Sequence, residues 1–344
     1  MPVAQSMNRR AQVGAVLVTG GAGYIGSHVA KALAATGRRV VVIDNLSTGH
    51  RGAVRWGELV VADIHDVARV RETIRRHEVS AVMHFAASSL VGESVRDPIG
   101  YYANNVGGAL ALLEAMVEES VSRFVFSSTA AVFGDPVETP ITESHPTRPI
   151  NPYGDTKLTV ERALAHFDRA YGTRSVALRY FNAAGADADG DLGEDHRPES
   201  HLIPRAVEAA LGGPVLQVFG HDYPTPDGTC LRDYVHVSDL ARAHLLALER
   251  LDDQGATTAY NLGMGKPFSV QDVISSVERV SGTRVPADRA PRRPGDPAVL
   301  FASSERIRTE LGWRPAFVDI DAIVESAWAW RRAHPHGYQE EAVR

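Results

Sequence analysis

A tyrosine and a lysine stand four residues apart in the stretch NPYGDTK, residues 151–157. Side chains at i and i+4 are neighbours on a helix surface, and Pro152 suits the first helical position because its missing N–H would be unpaired there. Tyr153 and Lys157 are therefore expected side by side on one helical turn. Such a pair either covers a solvated face or does acid–base chemistry, in which the ammonium favours the phenolate of a tyrosine whose free pKa is about 10. Other residues are needed to distinguish the two.

A glycine-rich turn follows the first apolar run, in VLVTGGAGYIGSH. Gly20, Gly23 and Gly26 fall at GxxGxxG spacing between a strand pattern and a helix pattern. Glycine permits a tight turn and lets a pyrophosphate approach the backbone, and the helix start offers unpaired N–H groups to its oxygens. The alternative is that the glycines only close a tight strand-to-helix turn, but the surrounding pattern favours dinucleotide binding.

Two acidic residues end the second and third strand patterns. Asp44 lies eighteen residues beyond Gly26, where a carboxylate can accept hydrogen bonds from a ribose diol and would repel a 2′-phosphate. This favours NAD over NADP. Asp63 is placed to receive the adenine amino group or, as an alternative, to cap the next helix.

The composition excludes several classes of protein. The chain has 344 residues, of which 44% are hydrophobic and 23% charged, as in ordinary globular proteins. A net charge of -6 and dispersed arginine pairs argue against a nucleic-acid partner. The single cysteine, Cys230, excludes an intramolecular disulfide and fits a reducing cytoplasmic setting, and no Cys/His spacing predicts a metal site. No apolar run approaches the roughly 20 residues that cross a bilayer, so no membrane association is expected.

Short apolar runs alternate with longer amphipathic stretches from Ala15 to Asn182. The strand patterns are AVLVTG, RRVVVID, ELVVADI, VSAVMHFAA, SRFVFSST and RSVALRYFN, and the helix patterns are YIGSHVAKALAAT, DVARVRETIRRH, NVGGALALLEAMVEES and YGDTKLTVERALAHFDRAYG. This alternation predicts an α/β fold with a doubly wound, mainly parallel Rossmann sheet. We assign residues 14–183 to an NAD-binding Rossmann domain, to which 235–265 returns. Residues 184–340 are expected to form a smaller C-terminal α/β domain that binds the substrate, and residues 1–13 a flexible leader.

Together these motifs resemble the extended short-chain dehydrogenase/reductase family over almost the whole chain. The matching segments include TGGAGYIGSH, DNLSTGH, FSSTAAVFG, NPYGDTK, LRYFNAAGA and FGHDYPTPDGTCLRDYVHVSDLA. The resemblance implies NAD-dependent 4-epimerisation of UDP-galactose and UDP-glucose, through a transient 4-keto sugar and hydride return to its opposite face. It also implies a homodimer, formed through the helices that carry YYANNVGGALALLEAM and TKLTVERALAHF.

The resemblance assigns roles to individual residues. It makes Tyr153 the catalytic acid–base residue, Lys157 its partner, which also holds the nicotinamide ribose, and Thr129 the hydroxyl that touches the sugar's 4-oxygen. The implied cofactor-binding residues are Gly20, Gly23, Tyr24, Ile25, Gly26, Asp44, Asn45, Asp63, Ile64, Phe85, Ala86, Ala87, Asn104, Ser127, Tyr153, Lys157 and Tyr180. The implied substrate-binding residues are Thr129, Asn182, His201, Leu202, Gln217, Phe219, Arg232, Arg293, Asp296 and Leu300.

Three positions depart from the family pattern. Ser89 replaces a lysine that contacts the cofactor in some members, and His201 replaces an asparagine near the substrate. Leu300 stands at the residue that gates the sugar pocket and has intermediate bulk. We therefore expect UDP-glucose and UDP-galactose as the main substrates. The alternative is a 4-epimerase acting on UDP-N-acetylhexosamines, UDP-pentoses or UDP-glucuronate.

Single residues argue for or against other functions within and outside the family. Ala130 and Ala131 stand where nucleotide-sugar 4,6-dehydratases carry an acidic pair, so dehydration lacks its acid and base. A UDP-glucuronate decarboxylase or epimerase stays an alternative, since arginines near the sugar could bind a carboxylate. A catalytically inactive NAD-binding protein is disfavoured because Tyr153, Lys157 and Thr129 are all present.

Overall fold

The computed structural model describes residues 14–293 and 297–338, in which strands and helices alternate along most of the chain. The strands are β1 (Ala15–Thr19), β2 (Val40–Asp44), β3 (Glu58–Val61), β4 (Val79–His84), β5 (Arg123–Thr129), β6 (Arg174–Tyr180), β7 (Asn182–Ala184), β8 (Leu216–Phe219), β9 (Leu231–Arg232), β10 (Tyr234–His236), β11 (Thr258–Leu262), β12 (Phe268–Ser269), β13 (Ala287–Ala290) and β14 (Val299–Leu300). The α-helices are α1 (Tyr24–Ala35), α2 (Val67–His77), α3 (Val91–Arg96), α4 (Pro98–Tyr101), α5 (Gly108–Glu118), α6 (Pro152–Tyr171), α7 (Leu202–Ala210), α8 (Val237–Asp252), α9 (Val270–Ser281), α10 (Glu305–Leu311) and α11 (Ile320–Ala333).

Seven of these strands form one parallel sheet in the order β11-β6-β5-β4-β1-β2-β3. Every neighbouring pair in it is parallel, because crossover connections join the strands. Most of these connections contain an α-helix, whereas a loop with one 3-10 turn joins β2 to β3. The six strands predicted from the sequence are all present, and β11 adds a seventh beyond β6. The strand order reverses between β1 and β4, and ligands of open parallel sheets bind at such a point, outside the carboxyl ends of the strands.

Helices cover both faces of the sheet. Alternate residues of β1 belong to different apolar clusters: Val16 and Val18 pack with α1 and α8, and Ala15 and Leu17 pack with α2, α5 and α6. A strand buried on both faces reads as a continuous apolar run rather than as an alternating one. The fold is therefore the doubly wound, parallel α/β sheet that the sequence predicts.

A third apolar cluster lies apart from the sheet and joins α7, α9 and α11 with β8. A separate core is what the predicted substrate domain requires, and the boundaries of the two domains stay a prediction. The proposed leader, residues 1–13, and the last two residues of the predicted range 184–340 lie outside the described part of the chain. Among the residues described, no helix combines the length and apolarity needed to span a membrane.

Candidate active site

The glycine-rich turn between β1 and α1 has no room for side chains at two of its positions. Gly20 has a positive φ of 70°, and a Cβ there would lie 2.5 Å from the amide nitrogen of Ala86. A Cβ on Gly26 would lie 2.3 Å from the carbonyl oxygen of Gly20. The turn can therefore lie against β4 and α1 only with glycine at these positions.

The N-terminus of α1 fits a negatively charged group. Gly23 occupies the N-cap and makes no side-chain capping hydrogen bond, so the first N–H groups of the helix face no side-chain acceptor from that position. Tyr24 and Ile25 open the helix, and the Tyr24 hydroxyl donates a hydrogen bond to the carbonyl oxygen of Gly185, 2.6 Å away. This geometry suits a pyrophosphate, and the hydrogen bond of Tyr24 links the turn to the segment after β7.

Asp44 ends β2 with its carboxylate held by two backbone amides. Oδ2 accepts a hydrogen bond from the Ala22 amide at 2.9 Å, and Oδ1 accepts one from the Leu46 amide at 2.8 Å. Burial raises the pKa of Asp44, and these hydrogen bonds oppose the increase. Each carboxylate oxygen has more than one lone pair, so the oriented group can still accept hydrogen bonds from a ribose diol.

Asn45 and Asp63, both predicted to bind the cofactor, meet at the ends of β2 and β3. The Asn45 amide donates to Asp63 Oδ2 at 3.0 Å, and the His65 amide donates to Asp63 Oδ1 at 2.9 Å. Burial alone would raise the pKa of Asp63, but hydrogen bonds from His65 and Asn45 lower it. The alternative that Asp63 caps the next helix is wrong, because the side chain of Asp66 caps α2 by accepting from the Arg69 amide.

The chain after β4 lies beside the glycine turn. The Phe85 amide donates to the carbonyl oxygen of Thr19 at 2.9 Å, and this places Ala86 against Gly20. Asn104 lies in a π-helical turn, Tyr102–Gly107, and its amide donates to the hydroxyl of Ser88 at 3.2 Å. Single π-helical turns are frequent at functional sites. The sequence patterns place an ordinary helix over this stretch, so this irregularity was not predicted.

The predicted catalytic pair lies on the first two turns of α6, with Tyr153 one turn before Lys157. The side chain of Asn151 caps the helix by accepting from the Gly154 amide at 2.9 Å, and Pro152 occupies the first turn as predicted. Nζ of Lys157 donates to the carbonyl oxygen of Ser127 at 2.9 Å. Tyr153 and Lys157 are therefore held against the carboxyl end of β5.

Thr129 completes this group as the last residue of β5. Its hydroxyl interacts with the phenol of Tyr153 through a hydrogen bond. In the parallel register Thr129 lies opposite Tyr180, the last residue of β6, and the Tyr180 hydroxyl is hydrogen bonded to the hydroxyl of Ser127. The fold thus gathers five residues predicted from three separate motifs at one edge of the sheet.

Burial dominates the ionisation of the catalytic pair. It raises the pKa of the Tyr153 phenol, and the hydrogen bond with Thr129 opposes the increase. Burial also lowers the pKa of Lys157 to about 7, against the favourable charge of Glu161. The residues of the chain by themselves therefore keep the phenol neutral, whereas the sequence hypothesis assigns Lys157 the role of favouring the phenolate.

A buried ion pair behind Lys157 was not among the predicted site residues. The guanidinium of Arg179 on β6 donates to Glu161 through Nε at 2.9 Å and through Nη2 at 2.5 Å. The hydroxyl of Ser128 donates to the same carboxylate at 2.5 Å. Glu161 lies four residues after Lys157 on α6, so helical spacing was a usable signal for it. Arg179 carried no local signal.

The residues predicted to hold UDP lie on short strands outside the main sheet. Gln217 and Phe219 are on β8, and the guanidinium carbon of Arg293 lies 3.9 Å from the centroid of the Phe219 ring. Asn182 begins β7, and its amide donates to the carbonyl oxygen of Asp233 at 3.0 Å. Arg293 and Phe219 are therefore in contact. Asn182 lies on the separate two-stranded sheet of β10 and β7, whereas Phe219 lies on that of β13 and β8.

Arg232 and Leu300 meet on the small three-stranded sheet formed by β12, β9 and β14. They lie opposite each other in the parallel pair of β9 and β14. Leu300 also packs against a cluster that includes Val132 and Phe133, which follow Thr129 closely in the chain. Leu300 therefore lies near the carboxyl end of β5. Its role in limiting the sugar pocket stays a prediction.

His201 and Leu202 lie at the start of α7, where His201 is the N-cap residue. Nδ1 of His201 is hydrogen bonded to Oε1 of Glu194. This leaves Nε2 as the ring atom that can contact a substrate. Asp296 lies outside the described residues.

Comparison with known proteins agrees with this architecture. Residues 16–263 match the profile of the NAD dependent epimerase/dehydratase family. A curated UDP-glucose 4-epimerase of Halalkalibacterium halodurans is 53% identical over 328 residues, which cover 95% of this chain and 98% of the relative.

Solved structures of UDP-glucose 4-epimerases are also similar to this chain. UDP-glucose 4-epimerase of Brucella ovis in complex with NAD is 53% identical, with a TM-score of 0.90 over 92% of this chain and 98% of that one. UDP-glucose 4-epimerase of Stenotrophomonas maltophila, with bound NAD and formylated UDP-arabinopyranose, is 42% identical, with a TM-score of 0.91 over 94% of this chain and 100% of that one. The chain therefore belongs to the NAD dependent epimerase/dehydratase family, within the extended short-chain dehydrogenases/reductases that its motifs resemble.

Proposed function

We propose that this protein interconverts UDP-galactose and UDP-glucose by inverting C4 of the sugar, with NAD as its bound cofactor. The observation that carries the proposal is the meeting of Tyr153, Thr129 and Lys157 at the carboxyl end of β5. The relatives add support, because both solved structures described above are UDP-glucose 4-epimerases that contain NAD.

The cofactor would be held by the edge of the sheet described above. The turn at Gly20 and Gly26 and the start of α1 suit the pyrophosphate, and the Asp44 carboxylate suits an adenosine ribose that carries no 2′-phosphate. Bound NAD⁺ would take a hydride from C4 of the sugar and later return it. Since no net oxidation occurs, the cofactor must stay bound throughout the cycle.

Tyr153 would act as the base and then as the acid on the 4-hydroxyl. Because burial raises the pKa of this phenol, proton removal needs a positive charge and a hydrogen-bond donor close by. Lys157, on the same helical turn, would supply the charge as an ammonium, and Thr129 would supply the donor. Thr129 can also relay a proton between the sugar oxygen and the phenol, which a methyl group could not.

Inversion requires the 4-keto sugar to turn within the pocket, so the nucleotide and not the sugar should carry the binding energy. Arg232 and Arg293 would pair with the diphosphate, since a guanidinium forms two parallel hydrogen bonds to phosphate oxygens. The ring of Phe219, already stacked with Arg293, would complete the nucleotide side of the site.

Leu300 would set the range of sugars accepted. It contacts the apolar cluster beside Thr129, and its bulk is intermediate between residues that exclude and residues that admit an acetamido group. We infer UDP-galactose and UDP-glucose as the preferred pair. A larger kcat/KM for UDP-N-acetylhexosamines, UDP-pentoses or UDP-glucuronate would reverse that order.

The deciding experiment uses protein purified without added nucleotide. We expect close to one NAD per chain on denaturation, UDP-glucose formed from UDP-galactose without added cofactor, and bound NADH absorbance after addition of UDP and a reductant. A UDP-sugar panel in the same assay ranks the substrates. Protein that contains NAD but converts no UDP-sugar would instead indicate a catalytically inactive NAD-binding protein.

A homodimer is the expected assembly, formed through α5 and α6. Large apolar side chains on α3, α4 and α5 are exposed, with Val95 62%, Ile99 82% and Leu110 40% accessible, and a dimer interface would cover such side chains. Ile99→Glu should therefore convert a dimer into monomers in light scattering, while the matched change at Val318, which is 62% exposed and lies outside these helices, should not. A monomeric wild-type protein would refute the dimer.

The cytoplasm is the inferred location. The single cysteine, Cys230, is buried, and a protein with one cysteine gains no intramolecular disulfide from an oxidising compartment. Fractionation of cells that express the full chain tests this location, and recovery outside the cytoplasm would refute it.

A further inference from the structure

Two histidines and two glutamates come together in the segment that precedes α7. We call Glu194, His196, Glu199 and His201 the Glu–His cluster. One potential ligand atom from each residue lies within 4.8 Å of all the others. The sequence predicts no metal site, because a search for Cys/His spacing does not consider a run of alternating carboxylates and imidazoles.

Several distances within the cluster are close to those between the ligand atoms of one metal ion. Nδ1 of His196 lies 3.2 Å from Glu194 Oε1 and 3.6 Å from Glu199 Oε2, and Nδ1 of His201 lies 4.0 Å from Glu199 Oε1. Ligand atoms around a tetrahedral zinc ion are about 3.4 Å apart, given bonds of about 2.0–2.1 Å. The direct hydrogen bond between His201 and Glu194 is the shortest of these contacts, and it holds a proton that a metal ion would displace.

One atom of the cluster lacks a satisfied hydrogen bond. Nδ1 of His196 is buried, and none of the described residues gives it a hydrogen bond of good geometry, although Glu194 is close. Buried polar nitrogens are nearly always paired, so this atom has an unused lone pair or proton. This nitrogen lies 3.2 and 3.6 Å from oxygens of two carboxylates without a good hydrogen bond to either, so it can coordinate an ion once its proton is lost.

An ion can reach the cluster from solvent. His196 and Glu199 line an open cavity whose wall also contains Arg197 and Arg331. These arginines are engaged elsewhere: Arg331 pairs with Glu208 at 2.6 Å, and Arg197 donates to the carbonyl oxygen of His336 at 3.1 Å. The cavity therefore gives access without placing a cation inside the cluster.

A second acidic group in the same loop provides a contrast. Asp187, Asp189 and Asp191 also bring three carboxylates together, but Nζ of Lys31 donates to all three, at 2.6, 2.7 and 3.1 Å. An internal ammonium already neutralises that group. That group therefore carries no site. The carboxylates of the Glu–His cluster pair instead with histidines, whose protons can leave when an ion binds.

We propose that the Glu–His cluster is a binding site for a divalent transition metal ion such as Zn²⁺, with Glu194, His196, Glu199 and His201 as its four ligands. Imidazole nitrogens and carboxylate oxygens in tetrahedral array suit zinc, whereas magnesium and calcium favour sites built from oxygen alone. On binding, the histidines lose their protons to solvent and coordinate as neutral rings. The ion would fix the segment that leads into α7 and would make no contact with the reacting sugar carbon.

The test is metal binding by the full chain. Protein stripped with a chelator is dialysed against micromolar Zn²⁺, and metal content is measured by elemental analysis. We expect about one Zn²⁺ per chain. Co²⁺ in place of Zn²⁺ should give the intense visible absorption of a tetrahedral cobalt centre. Less than a tenth of an equivalent of Zn²⁺, or a weak octahedral cobalt spectrum, would overturn the proposal.

Variants assign the ligands. His196→Gln and Glu199→Gln should each weaken binding at least about tenfold, with unchanged thermal unfolding of the metal-free protein as the control for folding. His166→Gln, which alters an exposed histidine on α6, should bind as the wild type does. Binding retained in both cluster variants would refute the assignment. UDP-galactose conversion in metal-free buffer tests the proposed function separately, so each idea can fail without the other.

Discussion

Nζ of Lys157 donates a hydrogen bond to the carbonyl oxygen of Ser127, 2.9 Å away, and this bond joins α6 to β5. Tyr153 lies one turn earlier on α6, and Thr129 lies two residues further along β5. The bond therefore holds the start of α6 against the strand that ends at Thr129, the proposed catalytic hydroxyl. The proposed catalytic residues come together because α6 packs against β5. Substitutions in and around them therefore probe different parts of this contact.

Replacing Tyr153 tests the assigned base. Tyr153→Phe removes the hydroxyl and keeps the ring, so turnover of UDP-galactose should fall at least about 10²-fold, while the bound NAD per chain is unchanged. Tyr171→Phe is the matched control, because Tyr171 ends the same helix and is 60% exposed. Its turnover should equal that of the wild type. Full activity in Tyr153→Phe would remove the base from the mechanism.

The glycine turn can be tested with a pair of alanines. Gly20 and Gly37 both have positive φ, but a Cβ on Gly20 meets Ala86 whereas a Cβ on Gly37 meets nothing within 4 Å. Gly37→Ala therefore costs only backbone strain, of about 1 kcal/mol. Gly20→Ala adds a backbone collision, so we expect a larger fall in melting temperature together with loss of bound NAD. Equal melting temperatures and NAD contents in the two variants would show that the turn can relax.

The ion pair behind the catalytic lysine has a structural and an electrostatic effect. Glu161 and Arg179 are 9% and 10% exposed, and removal of one partner from a buried pair costs about 3–5 kcal/mol. Glu161→Gln should lower the free energy of unfolding by that order in denaturant titration. Glu72→Gln, in the exposed pair with Arg69, should cost less than about 1 kcal/mol.

The same substitution should also shift the pH dependence of turnover. The Glu161 carboxylate raises the pKa of Lys157 against the effect of burial, so its loss lowers that pKa further. If turnover needs the lysine ammonium, the alkaline limb of the kcat/KM profile moves to lower pH in Glu161→Gln. An unmoved profile in a folded, NAD-containing variant would show that Glu161 acts only on stability.

Acid sensitivity should follow from a buried histidine. Burial lowers the pKa of His84 from 6.5 to about 3, and the nearby charge of Lys157 acts in the same direction. Below pH 6.5 the unfolded chain therefore takes up a proton that the folded chain does not. Stability should fall with falling pH by up to about 1.4 kcal/mol per unit for this group.

His84→Asn isolates this effect, since an amide can keep the hydrogen bond that joins Nδ1 of His84 to the Thr19 hydroxyl at 2.7 Å. Melting temperatures between pH 7 and pH 5 should fall less steeply in His84→Asn than in the wild type. The buried His28 and His244, with pKa values lowered by burial to about 4, leave part of the slope in place. The surface variant His166→Asn should show the same pH dependence of the melting temperature as the wild type. If His84→Asn also showed the wild-type slope, His84 would not be the source of the effect.

The sequence by itself determined the features that depend on neighbouring residues. Apolar periodicity located the six strands and the main helices. Glycine spacing located the turn between β1 and α1, and Pro152 with Tyr153 and Lys157 located the start of α6. These features are local because steric limits on φ and ψ and the periods of helix and strand act over a few residues. The motif resemblance then supplied the sugar chemistry, which local patterns do not contain.

Only the tertiary structure decided which distant groups share one environment. It placed Lys157 on the Ser127 carbonyl, paired Glu161 with Arg179, and gave Asp66 rather than Asp63 the cap of α2. It also set the direction of the pKa shifts of Tyr153 and Lys157, because desolvation depends on how completely the rest of the chain covers a group. Burial and long-range pairing arise when strands far apart in the sequence become neighbours. The spacing of residues along the chain does not indicate which distant residues will be neighbours.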